Sequence, residues 1–256
     1  MKKATEIAWI LAIMFITGAS GAWTREARAS QSGGPEKLGE VNFPVSCNAA
    51  AQKEFNRAMA LFHSFWFDPA KASFSKVLQH DPECGMAHWG ISIMSMGNPF
   101  TWPTNPNASK AGAPAAAEAD RVSAKSARER DYIAALGTLF KDWETTEFRP
   151  RAVAFEQAMG GVAAKYPNDD EAQILYALAL NITALPTDKR FANQRKAAAI
   201  LEPLFKKYPN HPGVPHYLIH TYDYAELSEK GLPPARASSA LAHPVQQAPQ
   251  IQTHLY

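Results

Sequence analysis

No stretch of five like charges and no basic face interleaved with aromatic residues occurs in this chain of 256 residues, whose formal net charge is only +2. A nucleic-acid footprint needs lysine and arginine gathered on one surface, so no nucleic-acid partner is expected. Missing as well are the G-x-S-x-G nucleophile turn, the phosphate loop and the G-x-G-x-x-G dinucleotide fingerprint. These absences exclude the best-marked hydrolase, nucleotidase and dehydrogenase sites. The balance favours a non-enzymatic protein, with activity left open.

Long apolar runs are scarce. The one clear run, Ile7 to Ile16, follows Lys2 and Lys3 and precedes small residues, with candidate cleavage points after Ala22 and Ala29. It is too short for a comfortable membrane span and has the make-up of a secretory signal, so residues 1–29 are read as a signal peptide. No stable membrane span is expected after cleavage, and the protein is expected to be periplasmic or secreted. Cysteine is scarcer still, with only Cys47 and Cys84. Export to an oxidising compartment permits their pairing as a disulfide, and two reduced thiols are the alternative.

What is abundant is helical pattern. After residues 30–46, which show no periodicity and read as a flexible leader, Phe55, Ala58, Met59, Phe62, Phe65 and Trp66 form an apolar stripe of helical period. This helix is expected to stop at Phe67, with Asp68 capping the next and Pro69 at its first position. That second helix carries Ala70, Phe74 and Val77 and ends at Pro82. A small residue, then an aromatic, then an aliphatic and a terminating proline is the second-helix pattern of tetratricopeptide-type repeats. It recurs as Phe155, Met159, Val162 and Pro167, and as Ala197, Leu201, Leu204 and Pro209.

The prolines stand 85 and 42 residues apart, implying units of about 42 residues with one degenerate unit around a proline-rich loop at 97–114. Ala87, Ala172 and Val214 each follow a proline by five residues, in one register. The chain therefore reads as all-α, a right-handed solenoid of antiparallel helix pairs with a concave face, over 47–226. Cys47 and Cys84 open the first helices of successive pairs and should lie on one edge. Residues 227–256 read as a degenerate segment and tail.

His216 and His220, one helical turn apart, are the candidate metal ligands, zinc being a suitable ion, with His211 and Asp223 as further donors. The glutamate of H-E-x-x-H is absent between them, which argues against a metalloprotease. The competing reading is a pair of hydrogen-bonded core histidines with no cofactor. His63 and His88 would join such a cluster only if a superhelix brought the chain's ends together. Of the aromatic residues, Phe65, Trp66, Phe67 and Trp89 read as core, while Phe100 and Trp102, on the proline-rich loop, are binding-loop candidates.

The segments SCNAAAQKEFNRAMALFHSFWF, DPECGMAHWGISIMSMGNPFTWP, ERDYIAAL, KYPNDDEAQILYALAL and HPGVPHYLIHTYD resemble a family of exported bacterial tetratricopeptide-repeat proteins over roughly 41–233. The resemblance implies a helical repeat scaffold with no attached enzymatic activity. Members continue further, so this chain is similar to a C-terminally truncated one, with an uncapped end expected to self-associate. The expected function is binding of a protein or peptide on the concave face. A metal-binding or metal-dependent protein using His216 and His220 is the alternative.

Overall fold

A computed structural model describes residues 37–102 and 107–241, with side chains through 238. Among them are ten α-helices and no strands: α1 Ala49–His63, α2 Phe67–His80, α3 Gly85–Ser95, α4 Asn107–Val122, α5 Ala127–Phe140, α6 Phe148–Lys165, α7 Asp170–Thr183, α8 Ala192–Lys207, α9 Gly213–Tyr222 and α10 Leu232–Leu241. Each helix packs on the next. In addition α1 touches α3, α3 touches α5 and α7 touches α9, and α1 also reaches α9. The expected signal at 1–29 and the tail beyond 241 lie outside the described residues. No helix among the described residues is long and apolar enough to cross a membrane.

The helix ends follow from local chemistry. Asn48 caps α1 by accepting from the Ala51 N–H. The helix then ends at His63, earlier than its apolar stripe suggests, because Phe65 turns left-handed at φ 55°. Its neighbour Trp66 donates back to the Leu61 carbonyl. Asp68 does not cap α2. Trp66 holds that position without a side-chain bond, and Asp68 and Pro69 sit inside the first turn.

The three terminating prolines act alike. Asp81, Tyr166 and Tyr208 precede them, leave the helical region at φ −146°, −121° and −127°, and still donate to Val77, Val162 and Leu204. A residue before proline is crowded out of the helical conformation, so each helix ends there. Ala87, Ala172 and Val214 in the following helices are all fully buried.

A clasp recurs beside each proline. Asn48 at the start of α1 donates to the His80 carbonyl at the end of α2. Asp131 on α5 accepts from Lys165 and Tyr166 at the end of α6. Asp170 on α7 accepts from Lys207 and Tyr208 at the end of α8.

Cys47 and Cys84 are joined, with their Cα atoms 5.4 Å apart. They sit just before α1 and at the cap of α3, the two corresponding helix starts.

Three expectations change. The proline-rich stretch 97–114 does not exclude helix, because α4 begins at Asn107 and runs through Pro114. Pro114 is exposed, and the carbonyl it orphans belongs to exposed Lys110, where water can satisfy it. Residues 103–106 of that stretch lie outside the described residues. The leader is not flexible from residue 37 onward, since Leu38 and Phe43 are core residues at 8% and 0% exposure. A non-helical, non-repeating segment carries no period to read. Finally, the segment read as degenerate contains α10. Pro233 and Pro234 lie in its first turn, where a missing N–H costs nothing, and Ala235 packs on Ile219.

Candidate functional site

The contact of α1 with α9 brings distant polar residues together. His63 ends α1, Glu171 lies in the first turn of α7, and His211 precedes α9. Glu171 holds one carboxylate oxygen 3.1 Å from His63 Nε2 and the other 3.0 Å from His211 Nε2. Tyr217 Oη lies 2.8 Å from His63 Nδ1. All of these groups are buried. Burial alone would raise the Glu171 pKa, yet the two histidines hold it well below the usual carboxylate range. Burial lowers the His63 pKa despite the carboxylate beside it.

His63, Glu171 and His211 are the one group of three potential metal donors among the described residues whose ligand atoms lie within 4.8 Å of one another. Their hydrogen bonds, however, close without an ion. The backbone N–H groups of Gly213 and Val214 both donate to His211 Nδ1, at 3.1 and 3.3 Å. That nitrogen is therefore an acceptor, and the ring proton sits on Nε2 and points at Glu171. A metal on Nε2 would force the proton onto Nδ1, against two N–H groups. His211 acts as the side-chain cap of α9, and the trio ties α1, α7 and α9 together.

The four expected donors thus separate. His211 joins His63 and Glu171 instead of His216 and His220, because α9 starts only at Gly213 and His211 lies off its face. Asp223 is the C-terminal cap position of α9, outside any close trio of donors among the described residues. His88 is half-buried elsewhere, beside Glu118 and Arg121.

His216 and His220 do stay together, with ring centroids 5.1 Å apart. His216 Nδ1 donates to the His63 carbonyl at 2.7 Å, so its Nε2 bears a bare lone pair. That Nε2 is buried and has no hydrogen-bond partner. Burial lowers the His216 pKa to about 4. The left-handed Phe65 sets its ring 4.3 Å from the His216 ring.

Phe100 and Trp102 are not displayed as free anchors. Phe100 stacks on His220 at 3.9 Å, while Trp102 packs edge-on against Phe148 and donates its indole N–H to the Gly97 carbonyl. On a turn this short, apolar rings are more stable against the helices than in water.

A second feature borders the trio at His211 and Glu171. Residues 40–46 form neither helix nor strand and are pinned by side chains of α1 and α5. Gln52 Nε2 donates to the Phe43 carbonyl and Asn56 Oδ1 accepts the Phe43 N–H. Gln52 Oε1 accepts the Val45 N–H, Arg128 donates to the Pro44 carbonyl, and Glu129 accepts the Ser46 N–H. The Glu40 N–H reaches the Asn210 carbonyl at 2.9 Å. Beside this segment opens a cavity of about 980 Å³, bordered by Asn42, Asn56, Arg128, Tyr166, Asn168, Asp169, Tyr208 and His211.

Sequence reasoning left out Glu171 and, His211 apart, the residues of this groove. Glu171 is a single buried acid in an apolar helix, a faint signal, and its partners are 108 and 40 residues away. No family model, no curated protein and no solved structure matches the chain.

Proposed function

We propose that the chain is a non-enzymatic tetratricopeptide-like scaffold that binds an extended protein or peptide segment. The recurring clasps at His80, Lys165–Tyr166 and Lys207–Tyr208 support a repeat of antiparallel helix pairs, α1 with α2, α5 with α6 and α7 with α8. Such pairs stacked in one sense form a right-handed solenoid with a concave face.

One observation carries the binding reading. Helices α1 and α5 already hold a non-helical backbone, that of residues 43–46, by side-chain bonds to its N–H and carbonyl groups. Asn56 and Arg128 of that clamp also border the open cavity. A cavity walled by amides, tyrosines and both signs of charge suits a peptide, whose backbone needs donors and acceptors in turn. The disulfide and the signal-like N-terminus support a place in the cell envelope.

Peptide-library selection on the purified chain tests this reading. Selected peptides are expected to lose binding to Asn168→Trp, which fills the mouth of the cavity from an exposed position. Equal binding to that variant, or no selection at all, would overturn it.

A further inference from the structure

We infer, on the peptide reading of the cavity, that its ligand is a glycine-bearing segment. The residue after the glycine donates its backbone N–H to the Asn168 carbonyl, and the glycine lets the two backbones close.

The chain holds this arrangement once within its own fold. Lys-Tyr-Pro-Asn occurs twice, at 165–168 and 207–210, and the two copies fold alike. Tyr166 and Tyr208 leave their helices at φ −121°, ψ 69° and φ −127°, ψ 71°. Their carbonyls accept the N–H of the residue three positions on, Asp169 at 3.0 Å and His211 at 3.1 Å. The side chains of Asp169 and His211 in turn accept the N–H groups of Ala172 and Val214, again three positions on. The lysine and tyrosine of each copy donate to one aspartate, Asp131 or Asp170. Asn168 and Asn210 therefore hold matching positions in matching turns.

Only the second copy has its backbone partner in place. The Asn210 carbonyl accepts the Glu40 N–H at 2.9 Å. The preceding residue is Gly39, at φ 76°, and a Cβ there would stand 2.4 Å from that same oxygen. The turn thus reads two features of a backbone, an N–H and the lack of a side chain just before it. The Asn168 carbonyl accepts no hydrogen bond from the described residues. Asn168 is exposed and borders the cavity, whose other walls include Glu40, Asn42 and Tyr208. A backbone entering there meets the same turn, and the same steric rule selects glycine. Main-chain hydrogen bonding supplies affinity for any sequence, and the glycine supplies the choice.

The probes are peptides selected from a random library on the full chain and lost on Asn168→Trp. Each is remade with L-alanine or D-alanine for its glycine, or with an N-methyl group on the next residue. A glycine is expected at one shared position. L-Alanine and the N-methyl group should each weaken binding about tenfold or more in calorimetric titration. D-Alanine favours positive φ and carries its methyl in place of the other α-hydrogen, so it should cost less. Binders without glycine, binders tolerant of the N-methyl group, or equal cost for the two alanines overturn this inference and leave the peptide reading standing. Glycine-bearing binders that keep their affinity for Asn168→Trp overturn it too, by placing the segment elsewhere. No selection at all overturns both.

Discussion

Gly39 lies so close to Asn210 that a Cβ on the glycine would stand 2.4 Å from the Asn210 carbonyl oxygen. Its φ of 76° is a conformation that side chains rarely adopt. The start of the described chain is thereby fastened to the loop before α9. Gly39→Ala should detach residues 38–42 and speed their amide hydrogen exchange while the helices keep their protection. Unchanged exchange would show that this contact does not hold the segment.

Phe43 is the deeper anchor, fully buried with its ring 5.3 Å from Phe55 and 5.2 Å from Tyr132. Phe43→Ala leaves a cavity of aromatic size and should cost about 3 to 5 kcal/mol, read as a lower denaturant midpoint. A loss below about 1 kcal/mol would mean that the segment adds little to the core.

Gly90 faces the Phe74 ring, which a Cβ would meet at 2.4 Å. Gly90→Ala should therefore destabilise by about 1 to 3 kcal/mol through overpacking, despite alanine's better helix propensity. A stabilised variant would show that α2 and α3 can separate freely.

The disulfide closes 37 residues between Cys47 and Cys84. Replacing both by serine should lower stability by about 3 to 4 kcal/mol on the chain-entropy account, measured by denaturation without reductant. Reductant should bring the native protein to the same midpoint and leave the double variant unmoved.

Acid should unfold the protein in two overlapping stages. His63 and His216 have lowered folded-state pKa values, His216 at about 4 against an ordinary 6.5. Above pH 6.5 both states are neutral. As pH falls below it the unfolded chain takes protons that the fold refuses, so stability drops, by about 3 kcal/mol for His216 by pH 4. Glu171, also lowered, holds its contribution above its ordinary 4.5 and loses it as pH falls further. His216→Gln should flatten the curve between pH 6.5 and 4, and Glu171→Gln the part below 4.5. Stability constant from pH 7 to 4 would contradict the neutral, buried state of His216.

The helices and their stops were readable because the cause is local. Pro82, Pro167 and Pro209 terminate helices through the residue before them, and the 3.6-residue stripe around Phe55, Phe62 and Phe74 marks the buried face. The His216 and His220 pair was equally legible, since helical spacing alone sets them one turn apart. Helix starts were less so, because Pro114 is tolerated only where its orphaned carbonyl meets water, and exposure is not written in a period.

Sequence by itself thus determined the helical character of the described residues, their proline stops and one histidine turn, all products of short-range sterics and hydrogen bonding, and it permitted the cysteine pair without fixing it. Only the tertiary structure decided which polar residues meet. Glu171 finds His63 across 108 residues, and residues 43–46 lie clamped between α1 and α5, because the stacking of helices brings α1 against α9. The same packing buries His216 Nε2 without a hydrogen-bond partner, which the spacing of the histidines alone does not foretell.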